Sequence, residues 1–124
     1  MAKILAEVTK DVLTAFQEKA HHNQLIIIKF GAEWCAPCES SKSRCYEWFS
    51  KMPANIMCAD IDIDDHIDLY VALKSKKMLK GVPILMAYTG GGKKEHWYIP
   101  DESISGADLN EIDAFFEACI KRAK

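Results

Sequence analysis

The sequence predicts an α/β fold, a three-layer sandwich with a central mixed sheet and helices on both faces. Three observations carry this. The run Leu25-Ile26-Ile27-Ile28 is continuous and aliphatic, the pattern of a strand covered on both faces. Strand-like and helix-like segments alternate along the chain, which requires parallel pairing through crossovers. The segment from Ala107 to Arg122 places Ile112, Phe115, Phe116 and Cys119 at i, i+3, i+4 and i+7, the apolar stripe of a helix packed against a layer.

Each element follows from local chemistry. Lys3 to Val8 reads as a short first strand. Thr9 is a helix cap, and the helix extends to about Ala20 with Val12, Phe16 and Ala20 on one face. Leu25 to Phe30 is the central strand. A helix runs from Cys35 to about Lys51, with Cys38, Cys45, Phe49 and Met52 near one stripe. Asn55 to Ile63 is the next strand. Asp64 to about Lys77 is helical, with Ile67, Val71 and Met78 inward. Pro83 opens the strand Ile84 to Tyr88. Gly90-Gly91-Gly92 then reads as a hairpin turn, and Lys94 to Ile99 as the antiparallel return strand. The amphipathic helix ends the chain.

At 124 residues and 49% hydrophobic content, the chain suits one domain over 1–124. Sixteen basic and eighteen acidic residues leave a net charge of -2. That balance points away from nucleic acid and from a membrane surface, and the longest apolar run is too short for a span. Met1 to Glu7 has one Lys and no long apolar core, so no secretory signal is expected. The five cysteines, Cys35, Cys38, Cys45, Cys58 and Cys119, contain one tight pair and an odd remainder. This is not a disulfide framework, and a reducing, cytoplasmic location is expected.

The tight pair is the chemical signal. Cys35 and Cys38 lie three positions apart where the central strand gives way to a helix. Two thiols so spaced can close a small disulfide ring and reopen it. Unpaired N–H groups and the dipole at the helix start favour a thiolate there, the form that attacks disulfides. Zinc is the rival use of a CxxC, but Cys45, Cys58 and His66 are scattered and supply no second close pair, so no metal site is expected. Adjacent His21 and His22 suit a helix end. The glycine run lacks a phosphate-loop pattern. Asp62, Asp64, Asp65 and Asp68 lack the glycine and terminal glutamate of a calcium loop.

Four features together resemble the thioredoxin family over essentially the whole chain. They are Ala32-Glu33-Trp34-Cys35-x-Pro37-Cys38, Gly81-Val82-Pro83 before a later strand, the element order and the final helix. The resemblance implies a thiol–disulfide oxidoreductase that reduces protein disulfides and is regenerated by a thioredoxin-reductase-type donor. It implies a monomer with no cofactor beyond the Cys35–Cys38 couple. Cys35 would attack, and a more buried Cys38 would resolve the mixed disulfide. Pro37 would shape the first helical turn. Pro83 would be cis and expose the Val82 backbone to a substrate strand. Trp34, Ala36 and Val82 would form an apolar docking rim. Two other readings use the same residues: an oxidase or isomerase, and a non-catalytic adaptor that binds through Trp34 and Val82.

The chain also departs from the family pattern. A buried carboxylate is expected six residues before the first motif cysteine, and Lys29 stands there. The facing basic position aligns with Asp60. A buried ion pair with acid and base exchanged is therefore expected behind Cys38, since either charge alone would be expensive. Asp60 or a neutral Lys29 would take the Cys38 proton, or a charged Lys29 would stabilise the Cys38 thiolate. The alternative places Lys29 snorkelling to an edge and Asp60 in solvent. Ser43 replaces a family proline in the helix, Glu39 replaces a common Lys, and segments near Ser75–Leu79 and Pro100–Ser105 are longer than usual.

Overall fold

The computed structural model describes residues 4–124. Five strands form one sheet in the order β1-β3-β2-β4-β5. The strands are β1 (Ile4–Leu5), β2 (Leu25–Gly31), β3 (Ile56–Asp62), β4 (Ile84–Thr89) and β5 (Glu102–Ser105), and the helices are α1 (Lys10–Lys19), α2 (Ala36–Ser50), α3 (Asp68–Ser75) and α4 (Leu109–Arg122). β2 pairs parallel with β3 and antiparallel with β4, so the sheet is mixed. The expected start of the first strand at Lys3 lies outside the described residues.

Every residue of β2 is buried, because its two faces serve two cores. Ile26, Ile28 and Phe30 join Leu13, Leu69, Tyr70 and Leu73 beneath α1 and α3. Leu25 and Ile27 join Cys45, Phe49, Ile112, Phe115 and Phe116 beneath α2 and α4. Lys29 has the parity of the second set, so its side chain leaves β2 on the α2 side. Asp113 ties the two helices of that layer together, accepting from Trp48 Nε1 at 2.8 Å and from Arg44 at 2.6 Å.

Four expectations need correction. First, α1 buries Leu13 and Gln17 while Val12 is exposed. Its inward stripe is rotated because the Gln17 amide is anchored on the Trp97 carbonyl at 2.9 Å, which an apolar pattern cannot reveal. The Thr9 cap is present, its hydroxyl accepting from the Val12 N–H. Second, α3 starts at Asp68 and not Asp64, because Asp62–His66 first closes a turn through His66 N–H to the Asp62 carbonyl. The helix therefore buries Leu69, Tyr70 and Leu73 and leaves Ile67 and Val71 exposed.

Third, Lys94–Ile99 is not a strand, and the partner of β4 is Glu102–Ser105, within the segment expected to be a loop. Fourth, the glycine run is not a hairpin turn. Its amides cap the end of α1, with Gly91 N–H to the Ala20 carbonyl at 2.8 Å and Gly92 N–H to the Gln17 carbonyl at 3.0 Å. A Cβ at Gly90 would lie 2.5 Å from the Ala20 backbone, so only glycine permits this approach.

Asp101 anchors the new connection. Its Oδ2 accepts from the Thr89 N–H at 2.8 Å, the Thr89 hydroxyl at 3.0 Å and Lys94 Nζ at 3.0 Å. Burial pushes its carboxyl up, but the Thr89 and Lys94 bonds outweigh that and hold it below the usual range. A native pKa below the unfolded value of about 3.9 gives stability that is complete above that value and fades as pH falls through the native one. Asp101→Asn is expected to lower stability at pH 7 by about 1–2 kcal/mol. The gap from wild type should close in acid. Thermal melts across pH 2–7 check this, and a gap independent of pH would refute it.

Candidate active site

Cys35 and Cys38 lie where β2 turns into α2. Gly31 ends β2, and Cys35 N–H bonds back to the Ala32 carbonyl at 3.2 Å, which tightens the turn. Cys35 is the residue immediately before α2, and Pro37 occupies its first turn, where a missing N–H costs no helical bond. The two cysteines form a disulfide with Cα atoms 5.2 Å apart. The Cys38 N–H donates to Cys35 Sγ at 3.1 Å. In the reduced state the same donor and the helix dipole favour negative charge on Cys35.

The cysteines are about equally buried, 5% and 4% exposed, so the expected greater burial of Cys38 is not seen. Both pack with Ala32, Ile63 and Val82. Their surroundings differ instead. Cys35 Sγ lies 3.7 Å from the Val82 carbonyl oxygen. Cys38 faces a cavity of about 190 Å³ lined also by Lys29, Gly31, Glu39, Lys42 and Asp60.

The Val82–Pro83 bond is cis, and the Val82 carbonyl lies beside the disulfide. Pro83 is buried, while Val82 is half-buried at the rim. Ala36 and Pro37 are exposed, and Trp34 is 67% exposed. The Trp34 indole N–H donates to Asp64 Oδ2 at 2.8 Å, which fixes the ring at the rim. Asp64 was expected only as an acid of a helix start. Its contact with Trp34 spans thirty residues and has no signal in the sequence.

Lys29 and Asp60 are register partners on β2 and β3, and Lys29 Nζ lies 3.3 Å from Asp60 Oδ1. Lys29 is 5% exposed, which rules out snorkelling to an edge. The other oxygen of Asp60 accepts a hydrogen bond from the Tyr46 hydroxyl. Burial, reinforced by that bond to Asp60, pushes the Tyr46 hydroxyl well above the ordinary phenol range. Tyr46 was not anticipated, since nothing in α2 marks one aromatic as the partner of an acid on another element.

The remaining thiols are buried and free. Burial pushes Cys45 up to about 11, and Cys58 and Cys119 up to about 12. They are packing residues with little thiolate near neutral pH. Among the described residues, no group of three or more His, Cys, Asp or Glu could hold a metal ion, and no helix is long and apolar enough to cross a membrane.

The Thioredoxin family model matches residues 7–113. The chain is similar to the mitochondrial thioredoxin of Mus musculus, with 26% identity over 85% of this chain and 58% of that protein. It is also similar to thioredoxin 3 of Plasmodium falciparum, with 31% identity over 82% of this chain and 52% of that protein. The chain thus spans little more than half the length of these two relatives. Its fold matches the solved structure of Trichomonas vaginalis thioredoxin at a TM-score of 0.68, with 19% identity over 93% of this chain and 95% of that one.

Proposed function

We propose, because the chain belongs to the thioredoxin family, that it reduces protein disulfides by dithiol–disulfide exchange. The observation that carries this is the Cys35–Cys38 disulfide at the start of α2, with Cys35 Sγ beside the Val82 carbonyl. In the reduced protein, the Cys35 thiolate attacks one sulfur of a substrate disulfide. A mixed disulfide forms, and the first substrate thiolate leaves and takes a proton. Cys38 then gives up its proton and attacks Cys35 Sγ. The Cys35–Cys38 bond forms and the second substrate thiolate departs. Two electrons pass to the substrate, and a thioredoxin-reductase-type donor returns two electrons and two protons to the dithiol.

The remaining groups position the substrate. Trp34, Ala36, Pro37 and Val82 supply an apolar rim, and the backbone at Val82 pairs with an extended substrate segment. Pro83 holds that backbone in place. The three spare thiols suit a reducing compartment, and the proposed location is the cytoplasm.

Dithiothreitol-driven reduction of insulin, followed by turbidity, tests the reading. Turnover well above dithiothreitol alone is expected. If fully reduced protein gives no turnover, the reading fails and an adaptor role for the Trp34–Val82 surface takes its place. A reduction potential near that of oxidising dithiols would instead assign the couple to disulfide formation.

A further inference from the structure

Lys29 is the one charged residue of the central strand, and its side chain is almost fully buried. It lines the same cavity as the resolving Cys38. A Cβ on Gly31 would stand 3.2 Å from Lys29 Nζ and 3.6 Å from Cys38 Sγ, so the glycine leaves the space between ammonium and sulfur open. Asp60 holds the ammonium through one oxygen and is turned toward Tyr46 through the other. The cavity behind Cys38 joins this cluster to solvent.

We propose that Lys29 is a positioning residue for the resolving step: its fixed ammonium stabilises the Cys38 thiolate as Cys38 gives up its proton to water in the cavity. The proposal rests on the disulfide-exchange reading for its role in turnover, but the charge effect exists without any substrate. The balance is simple. The Cys38 S–H bond breaks, the proton passes to water, and the sulfur keeps the electron pair with which it attacks Cys35 Sγ. Lys29 keeps its proton throughout.

Other charges face the same space. Glu33 follows β2. Glu39, Lys42, Cys45 and Tyr46 come from α2, and Asp60 and Asp62 from β3. Glu33 and Glu39 are exposed, so water and salt screen them. Asp60 is occupied by Lys29 and Tyr46. Among the described residues Lys29 is the one charged residue in the buried class, and buried charges are screened least.

The test is the pH dependence of Cys38 alkylation by iodoacetamide in a Cys35→Ser background, read by mass spectrometry with and without a second change at Lys29. Mass spectrometry resolves the label at Cys38 from any at the buried Cys45, Cys58 and Cys119, and tyrosine ionisation does not enter the readout. Lys29→Met is expected to cut the Cys38 thiolate fraction about tenfold at a given pH. Lys29→Arg, which keeps a permanent charge, is expected to preserve it within about twofold. The fall in resolution rate should be smaller, about threefold, because a more basic thiolate is also the better nucleophile.

An unchanged titration in Lys29→Met would overturn the proposal. So would failure of Lys29→Arg to preserve the thiolate, which would show that a permanent positive charge at this position is not what stabilises it. If Lys29→Met does not fold, the Cys35→Ser protein alone decides. Cys38 should titrate far below the other buried thiols, and a midpoint near 11 refutes the idea. The titrations require no substrate turnover, so they can succeed or fail independently of the insulin assay.

Discussion

Cys38→Ser is expected to turn the protein into a trap. Cys35 stays next to the helix start and the Val82 carbonyl, so attack on a substrate disulfide continues. The second thiol, poised within one helical turn, is gone. Intramolecular attack by a group already in place has an effective concentration of about 10⁵ M or more, which external thiols at millimolar levels cannot match. Insulin reduction should fall by about two orders of magnitude or more. A covalent Cys35–substrate adduct should accumulate, visible by mass spectrometry and released by excess dithiothreitol. Cys35→Ser should be inactive with no adduct. If the adduct appears in Cys35→Ser instead, the roles of the two thiols are exchanged. That outcome matters here because the two cysteines are equally buried and exposure does not tell them apart.

The second large effect concerns stability. Phe116 is fully buried and joins the layer beneath α2 and α4. It stacks on Trp48 at 5.5 Å and meets Phe49 and Phe115 edge-on at 5.7 and 5.3 Å. Phe116→Ala removes the ring and leaves a cavity that three aromatic neighbours cannot close. A loss of about 3–5 kcal/mol is expected. For a chain of this size that lowers the melting temperature by about 10 °C or more. Chemical denaturation gives the number, and a loss under about 1 kcal/mol would show that α4 collapses into the space. Phe49, which meets Phe116 in this layer, also packs against the Tyr46 ring at 5.6 Å, so the variant should also reduce insulin more slowly.

The core strand and the terminal helix were legible because their signals are local. An unbroken aliphatic run has few options other than burial on both faces. The i, i+3, i+4, i+7 spacing of Ile112, Phe115, Phe116 and Cys119 describes one face of α4, and all four are buried. The phases of α1 and α3 were misread, because each is set by one distant or irregular contact. Gln17 reaches Trp97 across the fold, and the Asp62–His66 turn delays the start of α3. The last sheet edge was misplaced for a related reason. Three consecutive glycines read as a tight turn, yet they serve as a cap on α1, and the chain travels to Asp101 before it pairs.

The sequence by itself determined the chemistry: two thiols three apart at a strand-to-helix junction, with Val82-Pro83 waiting at the head of a later strand. The family resemblance implied a lysine and an acid at facing positions, and the strand register makes Lys29 and Asp60 partners on β2 and β3. Only the tertiary structure decided what those charges touch. It closed Asp60 between Lys29 and Tyr46, left Gly31 as open space between the ammonium and Cys38, and set both thiols at equal depth. The physical reason is range. Helix starts, apolar periodicity and motif spacing act over a few residues. Burial and charge act through space, and their partners here lie tens of residues apart.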